Sequence, residues 1–295
     1  MQLRFVCDAD TATELAQCLS DCGALSVSLD DAADEPLYEP PPGSTPLWSN
    51  TRVSGLFPHQ RDSAPLLAEL ARRLAPGRLP PASQHVLEDR EWVQSFQDTC
   101  EPVCFGARLW VVPSWAQSPP MTASQVRMTL DPGLAFGSGS HPTTAMCMEW
   151  LAAEQVAGRE VVDYGCGSGI LAVAAATLGA CRVWAVDNDP QALEATRRNA
   201  AANGVDDRIQ VCDPQSLPSL TADLMVSNIL ANTLSSLAGK FSALLRPGGR
   251  LALAGILRAQ ARQVLTSFMP WCGLQHAAER DGWVLLAGAR RHPGT

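Results

Sequence analysis

One stretch, Val161–Asp189, constrains the fold of this chain more than any other. A short apolar run ends at Asp163 and is followed by three glycines at alternate positions, beginning at Gly165. An alanine-rich helical run comes next, and then a second apolar run that ends at Asp187. Apolar runs of this length are typical of buried strands, and glycine lets the backbone approach a ligand closely. The stretch therefore predicts a strand–helix–strand unit with a ligand-binding loop at its first turn.

The spacing of the glycines indicates which kind of nucleotide or nucleoside the loop binds. The pattern Asp-x-Gly-x-Gly-x-Gly differs from the Gly-x-Gly-x-x-Gly of dinucleotide-binding turns and suits a nucleoside without a pyrophosphate. We expect Gly165 and Gly167 against this ligand and Asp187 as acceptor for two ribose hydroxyls. Asp163 either caps the next helix or holds the loop. The alternative for this whole segment, Asp163 and the three glycines, is an ordinary tight turn between a strand and a helix that binds no ligand. The loop resembles the S-adenosylmethionine (SAM) loop of class I methyltransferases.

From about residue 125 onward, predicted strands alternate with predicted helices. This order favours a doubly wound, mostly parallel α/β sheet of seven strands. The last two strands, predicted at 274–279 and 283–289, are expected to close the sheet as an antiparallel pair. Ligands bind such sheets at the carboxyl ends of the strands, where we expect the glycine loop, Asp187 and Asn228.

The first 88 residues show a different order of elements. Apolar patterning predicts strands and helices in the order β-α-β-β-α-β, which fits a small α+β ferredoxin-like domain. We therefore predict three parts: this domain at 1–88, a linker helix and connector at 89–124, and the doubly wound domain at 125–295.

Composition and charge argue against several classes of protein. The chain is 46% hydrophobic and 18% charged, as in ordinary globular proteins. Because no apolar run reaches the roughly 18 residues of a membrane span, we expect a soluble cytoplasmic protein without a membrane partner. The net charge of −8 argues against a broad nucleic-acid-binding surface. The ten cysteines include no Cys-x-x-Cys, so we expect reduced thiols and no metal site.

The segment at 131–144 is rich in glycine and hydroxyl side chains and precedes a predicted helix. It can fold over a ligand as a lid. Phe136 is then a candidate to cover the sulfonium or the adenine, and Thr144 a candidate to hold a carboxylate at the helix start. His141 is a candidate catalytic residue, with simple packing or solvation in the loop as the alternative.

The residues that follow the fourth strand of the doubly wound domain indicate the acceptor. Methyltransferases that act on flat amines often carry an Asn or Asp followed by Pro-Pro-aromatic there, whereas this chain has Ile-Leu-Ala after Asn228. A planar substrate thus loses its stacking partner, which favours a flexible aliphatic amine. Asn228 can accept a hydrogen bond from the attacking nitrogen or contact the methionine part of SAM. The alternative is that Asn228 caps the next helix.

Taken together, these motifs make the chain similar to the PrmA family, which methylates the large-subunit ribosomal protein numbered eleven. The Asp-Pro-Gly-Leu-Ala-Phe-Gly segment is the most specific of the matches. The matching stretches are 131–144, 162–170, 187–190 and 228–231, with further matches in the linker region at 88–92 and 105–110.

The resemblance implies that residues 1–88 present the free ribosomal protein to a SAM-dependent catalytic domain at 125–295. Methyl groups are then transferred to the α-amine and to lysine ε-amines of that protein. We expect a monomer that binds no nucleic acid directly. The positions that match SAM contacts of the family are Thr144, Gly165, Asp187 and Asn228.

Two alternatives to this function remain at the level of sequence. One is a SAM-dependent N-methyltransferase of another protein or of a small amine, and the other is a non-catalytic SAM-binding module. No residue is an obvious general base, although His141 and Glu149 are candidates. SAM binding without methyl transfer to any amine would favour the non-catalytic module.

Overall fold

The computed structural model describes residues 1–33, 46–75, 77–85, 101–131 and 141–292. The chain divides into a first unit, Met1–Ser95, and a second unit, Phe96–Thr295. The helix predicted near 88–99 lies outside the described residues, and the predicted boundaries at 88 and 124 remain predictions.

The first unit contains a four-stranded antiparallel sheet in the order β2-β3-β1-β4. Two helices cover one face, and their buried leucines pack against β1 and β3. Each helix begins at an aspartate whose side chain accepts a backbone N–H, as is usual at helix starts. This is the predicted ferredoxin-like arrangement. Its elements are β1 (Gln2–Cys7), α1 (Ala9–Asp21), β2 (Ser26–Asp31), β3 (Thr51–Leu56), α2 (Ser63–Arg73) and β4 (Ser83–His85).

The second unit contains the predicted seven-stranded sheet, in the order β10-β9-β8-β11-β12-β14-β13. The first five strands of this order are parallel, and β14 is antiparallel to both of its neighbours. A small separate sheet has the order β5-β6-β7. The strands are β5 (Val103–Phe105), β6 (Leu109–Val112), β7 (Val126–Thr129), β8 (Glu160–Tyr164), β9 (Arg182–Val186), β10 (Ile209–Cys212), β11 (Ala222–Asn228), β12 (Leu245–Leu257), β13 (Cys272–Arg280) and β14 (Trp283–Arg290).

Helices cover both faces of this sheet. Successive residues of a strand point to opposite faces, so strands that are apolar throughout present an apolar surface on each side, and both surfaces must be covered. In β8, Val161 belongs to the core beneath one set of helices, whereas Val162 and Tyr164 belong to the core on the other face. With both faces covered, the carboxyl ends of the strands are where a ligand can reach the sheet. The helices are α3 (Pro142–Ala153), α4 (Ile170–Thr177), α5 (Pro190–Ala202), α6 (Ala231–Leu244) and α7 (Ala261–Phe268).

Strand β12 is longer than the sequence predicts. The pattern predicts a turn at 247–249 and a strand over 251–254, but β12 already begins at Leu245. Leu245 pairs with Ala222 of β11, and the register shifts between Ala222 and Leu224. Between the pairs Ala222–Leu245 and Leu224–Arg250, the four residues 246–249 of β12 lie opposite one residue of β11, and Gly248 has φ +75°. The Pro-Gly-Gly segment is thus an irregular bulge within β12. The predicted start of the strand at Leu251 is wrong, since β12 begins at Leu245, although its regular pairing with β11 begins only at Arg250.

Lys240 is the only lysine in the sequence, and its side chain links α6 to strand β8 of the sheet. Its Nζ donates to the Tyr164 hydroxyl at 2.9 Å and lies 5.2 Å from the centre of the Tyr164 ring. Phe241 packs on the same ring, with 4.9 Å between the ring centroids. The ammonium group of the one lysine therefore takes part in packing α6 against the sheet of the second unit.

Within the described ranges, none of the helices is both long enough and apolar enough to cross a bilayer. In the same parts of the chain, no three His, Cys, Asp or Glu side chains lie together in an arrangement that could hold a metal ion.

Candidate active site

The loop between β8 and α4 is packed closely at both ends. Gly165, Gly167 and Gly169 all have positive φ, at +79°, +54° and +76°. A Cβ at Gly165 would lie closer than 3.0 Å to the Ile229 side chain, and a Cβ at Gly169 would lie 2.6 Å from Cγ2 of Thr196. At Gly167, no described atom lies within 4 Å of such a Cβ. The loop is therefore fixed at its ends and open at its middle glycine, as a ligand cradle requires.

Asp187 follows β9 and binds the backbone of two loops. Its Oδ2 accepts from the Gly167 N–H at 2.9 Å, and its Oδ1 accepts from the Asp189 N–H at 3.0 Å. Since each carboxylate oxygen has a second lone pair, Asp187 can still accept from hydroxyl groups. The predicted contact with ribose remains a prediction, and the structure adds that Asp187 holds the glycine loop. Asp189 caps α5 as predicted, accepting from the Gln191 N–H.

Asp163 is fully buried behind the glycine loop. Its Oδ2 accepts from the N–H of Ala172, in the first turn of α4, at 2.9 Å. Among the described residues, its Oδ1 has no hydrogen-bond partner. Burial raises the pKa of this carboxyl group to about 7, and the charge of Asp187 adds to the effect, while the Ala172 N–H opposes it. Asp163 thus caps α4 from the preceding strand, which is one of the two roles considered for it, and its role in holding the loop stays a prediction.

Asn228 ends β11, and its side-chain amide joins this strand to the first turn of α3. The Nδ2 group donates to Oγ1 of Thr143 at 3.1 Å and to Oγ1 of Thr144 at 3.3 Å. Both threonines are buried. Because the amide nitrogen faces the hydroxyl groups, the amide oxygen is turned away from them and is available as an acceptor. The structure brings Asn228 and Thr144 together, although 84 positions separate them in the sequence.

His141 occupies the N-cap position of α3. Its Nδ1 accepts from the Thr143 N–H at 3.3 Å and lies 2.7 Å from Oγ1 of the same residue. The Trp283 ring meets it edge-on, with 5.3 Å between the centroids. These contacts pack His141 at the helix start and connect it through Thr143 to Asn228. Its role as a catalytic residue remains a prediction.

The other two candidates have different outcomes. Phe136 lies in the segment 132–140, outside the described residues, so its predicted place over the ligand remains a prediction. Glu149 accepts two hydrogen bonds from the Arg280 guanidinium, at 2.7 and 2.9 Å. This ion pair joins α3 to the end of β13 and gives Glu149 a structural partner.

Gly255 is a site residue that the sequence alone does not reveal. It lies in β12 with φ +78°, where the pairing with β14 shifts register between Leu253 and Ile256. A Cβ at Gly255 would lie closer than 3.0 Å to the backbone oxygen of Ile229. Ile229 is thus held between Gly165 and Gly255. The one signal in the sequence is a lone glycine in an apolar strand, which often marks a bulge or a close backbone approach.

Leu230 follows in the same turn and occupies the N-cap position of α6 without a capping hydrogen bond from its side chain. Asn228 therefore does not take the cap position that was its alternative role. Leucine is an unfavourable N-cap, and a Ser, Thr, Asp or Asn there stabilises a helix by about 1 kcal/mol more. The Leu230 side chain is also 53% exposed. An exposed aliphatic side chain thus stands two residues from Asn228.

The fold and the site together define a class of protein. A glycine loop follows the first strand of the doubly wound sheet, an aspartate follows the second, an asparagine ends the fourth, and the last strand is inserted antiparallel. The first three of these features lie at the carboxyl edge of the sheet. This arrangement is that of a class I SAM-dependent methyltransferase.

Comparison with known proteins identifies the family within this class. The family model described as "Ribosomal protein L11 methyltransferase (PrmA)" matches residues 1–291. Proteins named ribosomal protein L11 methyltransferase from Marinobacter nauticus and Pseudomonas aeruginosa are each 48% identical to this chain, covering 99% of it and 98% of the relative. The chain therefore belongs to the PrmA family, and the resemblance seen in its motifs is confirmed.

A solved structure agrees with this assignment. The crystal structure of a ribosomal protein L11 methylase from Lactobacillus delbrueckii subsp. bulgaricus is similar to this chain with a TM-score of 0.58 and 32% sequence identity. The similarity covers 65% of this chain and 100% of the other. The protein is accordingly an enzyme that uses SAM as methyl donor.

Proposed function

We propose that this enzyme transfers methyl groups from SAM to the α-amine and to lysine ε-amines of ribosomal protein L11. Membership in the family supports the acceptor protein, and 48% identity over 99% of the chain does not favour another acceptor or a non-catalytic module. The observation that carries the amine chemistry is the orientation of Asn228. Its amide nitrogen is bound by Thr143 and Thr144, so its oxygen is left to accept an N–H from an attacking amine.

The residues at the carboxyl edge fit SAM. The middle of the glycine loop offers an open approach at Gly167 and backbone N–H groups at the start of α4. Asp187 has unused lone pairs for hydroxyl groups beside that loop. When bound, SAM would supply a methyl group on a positively charged sulfur: an amine lone pair would bond to the methyl carbon as the carbon–sulfur bond breaks, and the sulfur would leave as a neutral thioether. We propose as SAM contacts Phe136, Thr144, Gly165, Gly167, Asp187 and Asn228.

The attacking amine must be neutral, because an ammonium group has no lone pair. A lysine in water has a pKa of about 10.4 and is mostly protonated at pH 7. Aliphatic surroundings disfavour the charged form, and Ile229 and Leu230 provide such surroundings next to Asn228. The Asn228 oxygen then holds one N–H of the neutral amine and aligns its lone pair. Alignment of this kind can contribute several kcal/mol of barrier reduction.

We further propose a division of labour along the chain. The first unit recognises the free ribosomal protein, and the doubly wound part of the second unit carries the chemistry. The net charge of −8 supports action without direct binding to nucleic acid. We propose a monomer that works in the cytoplasm, with His141 and Asn228 as the residues closest to the reacting amine.

Mass spectrometry of purified ribosomal protein L11 after incubation with SAM tests the proposal. The wild-type enzyme should add mass in steps of one methylene. Asp187→Ala should add none at the same SAM concentration, because its loop is no longer held. Asp206→Ala, which changes an exposed carboxylate, is the matched control and should behave as the wild type. No mass gain with wild-type enzyme that binds SAM in calorimetry would overturn the acceptor assignment.

A further inference from the structure

The turn after Asn228 presents an unusual side chain at the site. Four of the described helices start at a residue whose side chain accepts a backbone N–H: Asp8, Asp62, His141 and Asp189. The other three described helices, α4, α6 and α7, start at Gly169, Leu230 and Gln260 without such a hydrogen bond. Of these three residues, Leu230 alone is aliphatic, and it is 53% exposed. At Leu230, therefore, two stabilising contributions are missing: a capping hydrogen bond and the burial of an aliphatic side chain. When a local rule is broken beside a site, function is a common reason.

The backbone holds Leu230 in place. The Leu234 N–H donates to the Leu230 carbonyl at 3.0 Å, which starts the helix. On the other side, Ile229 is held between Gly165 and Gly255. Two residues of chain span at most about 7 Å, so the Leu230 Cα lies within that distance of the Asn228 Cα. Leu230 is thus a rigidly placed aliphatic group next to the amide that faces the reacting nitrogen.

We propose that Leu230 is a specificity-determining residue that packs on the methylene stem of the acceptor lysine. This inference rests on the proposed function, since it assumes that lysine ε-amines react beside Asn228. A lysine reaches the site through four methylene groups, which need an aliphatic surface. The α-amine of an N-terminal residue has no such stem. Leu230 therefore favours lysine over the α-amine, although both amines use the same Asn228 and the same SAM.

The two kinds of amine on one acceptor give an internal comparison. We would digest ribosomal protein L11 after short incubations and measure the initial rate of methylation at lysine and at the α-amine by mass spectrometry. Leu230→Ser should lower the ratio of lysine to α-amine methylation at least about fivefold, because contacts with methylenes are worth about tenfold or more each in a specific pocket. The Kd for SAM should not change.

The thermal stability of Leu230→Ser and two further variants separate specificity from folding. Serine is a good N-cap, so the Tm of Leu230→Ser should be no lower than that of the wild type. Leu230→Met keeps an aliphatic side chain of similar volume and should restore the wild-type ratio. Met269→Ser removes another exposed apolar side chain, 62% exposed, at the end of α7 and at the opposite edge of the sheet. It should leave the ratio unchanged.

Each outcome decides between the inference and the proposed function. An unchanged ratio in Leu230→Ser, with the wild type methylating both amines, overturns the inference alone. An equal loss at both amines also overturns it, since that result indicates a structural role. If the wild type methylates lysines only, the KM for the ribosomal protein should rise at least about fivefold in Leu230→Ser, and an unchanged KM overturns the inference. No methylation of the ribosomal protein by the wild type overturns both.

Discussion

The backbone of Gly165 lies directly against the side chain of Ile229, so closely that a Cβ at Gly165 would come within 3.0 Å of it. Gly165 belongs to the loop after β8, and Ile229 belongs to the turn after β11. The two loops that form the site therefore pack as one unit. The position of Asn228 consequently depends on the conformation of the glycine loop.

Gly165→Ala should lower both stability and SAM affinity. The positive φ and the contact with Ile229 together should cost about 2–5 kcal/mol of unfolding free energy. The displaced loop should weaken SAM binding at least about tenfold. Gly158→Ala is the matched control, because φ is +73° there and no described atom lies within 4 Å of its Cβ. It should lose only about 1–2 kcal/mol and keep SAM affinity, as measured by urea unfolding and calorimetry. Equal losses in both variants would show that the contact with Ile229 is unimportant.

The hydroxyl groups of Thr143 and Thr144 should matter for rate more than for folding. Changing both to valine keeps their shape but removes the acceptors for the Asn228 amide. We expect kcat to fall about 10- to 100-fold, since a misplaced positioning group can cost about that much. Thr177→Val removes a buried hydroxyl that has no partner among the described residues, and it should leave kcat unchanged. A double variant with wild-type kcat would contradict the role given to Asn228.

Asp163 should make the stability of the second unit depend on pH. Its carboxyl group ionises near pH 4 in the unfolded chain and near pH 7 in the folded protein. Between these values the folded state holds a proton that the unfolded state has lost, so the free energy of unfolding falls as pH rises. Above about pH 7 both states are ionised, and the loss stays constant.

Asp163→Asn cannot ionise and should lack this loss. The free energy of unfolding of the variant minus that of the wild type should therefore increase by up to about 4 kcal/mol from pH 4 to pH 8. At higher pH this difference should stay constant. Urea unfolding of both proteins at pH 4, 6, 8 and 9 measures the difference. A difference that is the same at all four values would show that Asp163 is ionised in the folded protein throughout.

Glu149→Gln should retain most of the activity. The carboxylate is bound by Arg280, and both side chains are partly exposed, at 37% and 46%. Loss of such an ion pair should cost at most about 1 kcal/mol of stability. We expect kcat within about twofold of the wild type, and Arg280→Gln should show the same small loss of stability. A more than tenfold fall in kcat with unchanged SAM affinity would instead identify Glu149 as the general base.

The parts of the site that are local in sequence can be predicted from it. The unit β8–α4–β9 matches its prediction closely, because its apolar runs, glycines and acids are consecutive. Asp189 and Pro190 likewise mark the start of α5. These features depend on residues that are close together in the sequence, so the sequence pattern alone is enough to predict them.

Contacts across the chain could not be predicted in this way. Asn228 meets Thr143 and Thr144 only because the sheet order places β11 beside the start of α3. The early start of β12 depends on the pair Leu245–Ala222 with β11, a contact that the Pro-Gly-Gly pattern does not contain. Gly255 is required by the backbone of Ile229, a neighbour 26 positions away, and single glycines of this kind carry little information by themselves.

The place of Lys240 bears on the enzyme as a target of its own chemistry. This lysine is the only one in the sequence, and its Nζ is bound by the Tyr164 hydroxyl and lies over the Tyr164 ring. It stands about 13 Å along the axis of α6 from the end that follows Asn228. If the enzyme methylated one of its own lysines, the target could only be Lys240, whose Nζ is bound to Tyr164 and lies far from Asn228. In an assay with labelled SAM, label recovered on lysine then reports almost entirely on the acceptor protein.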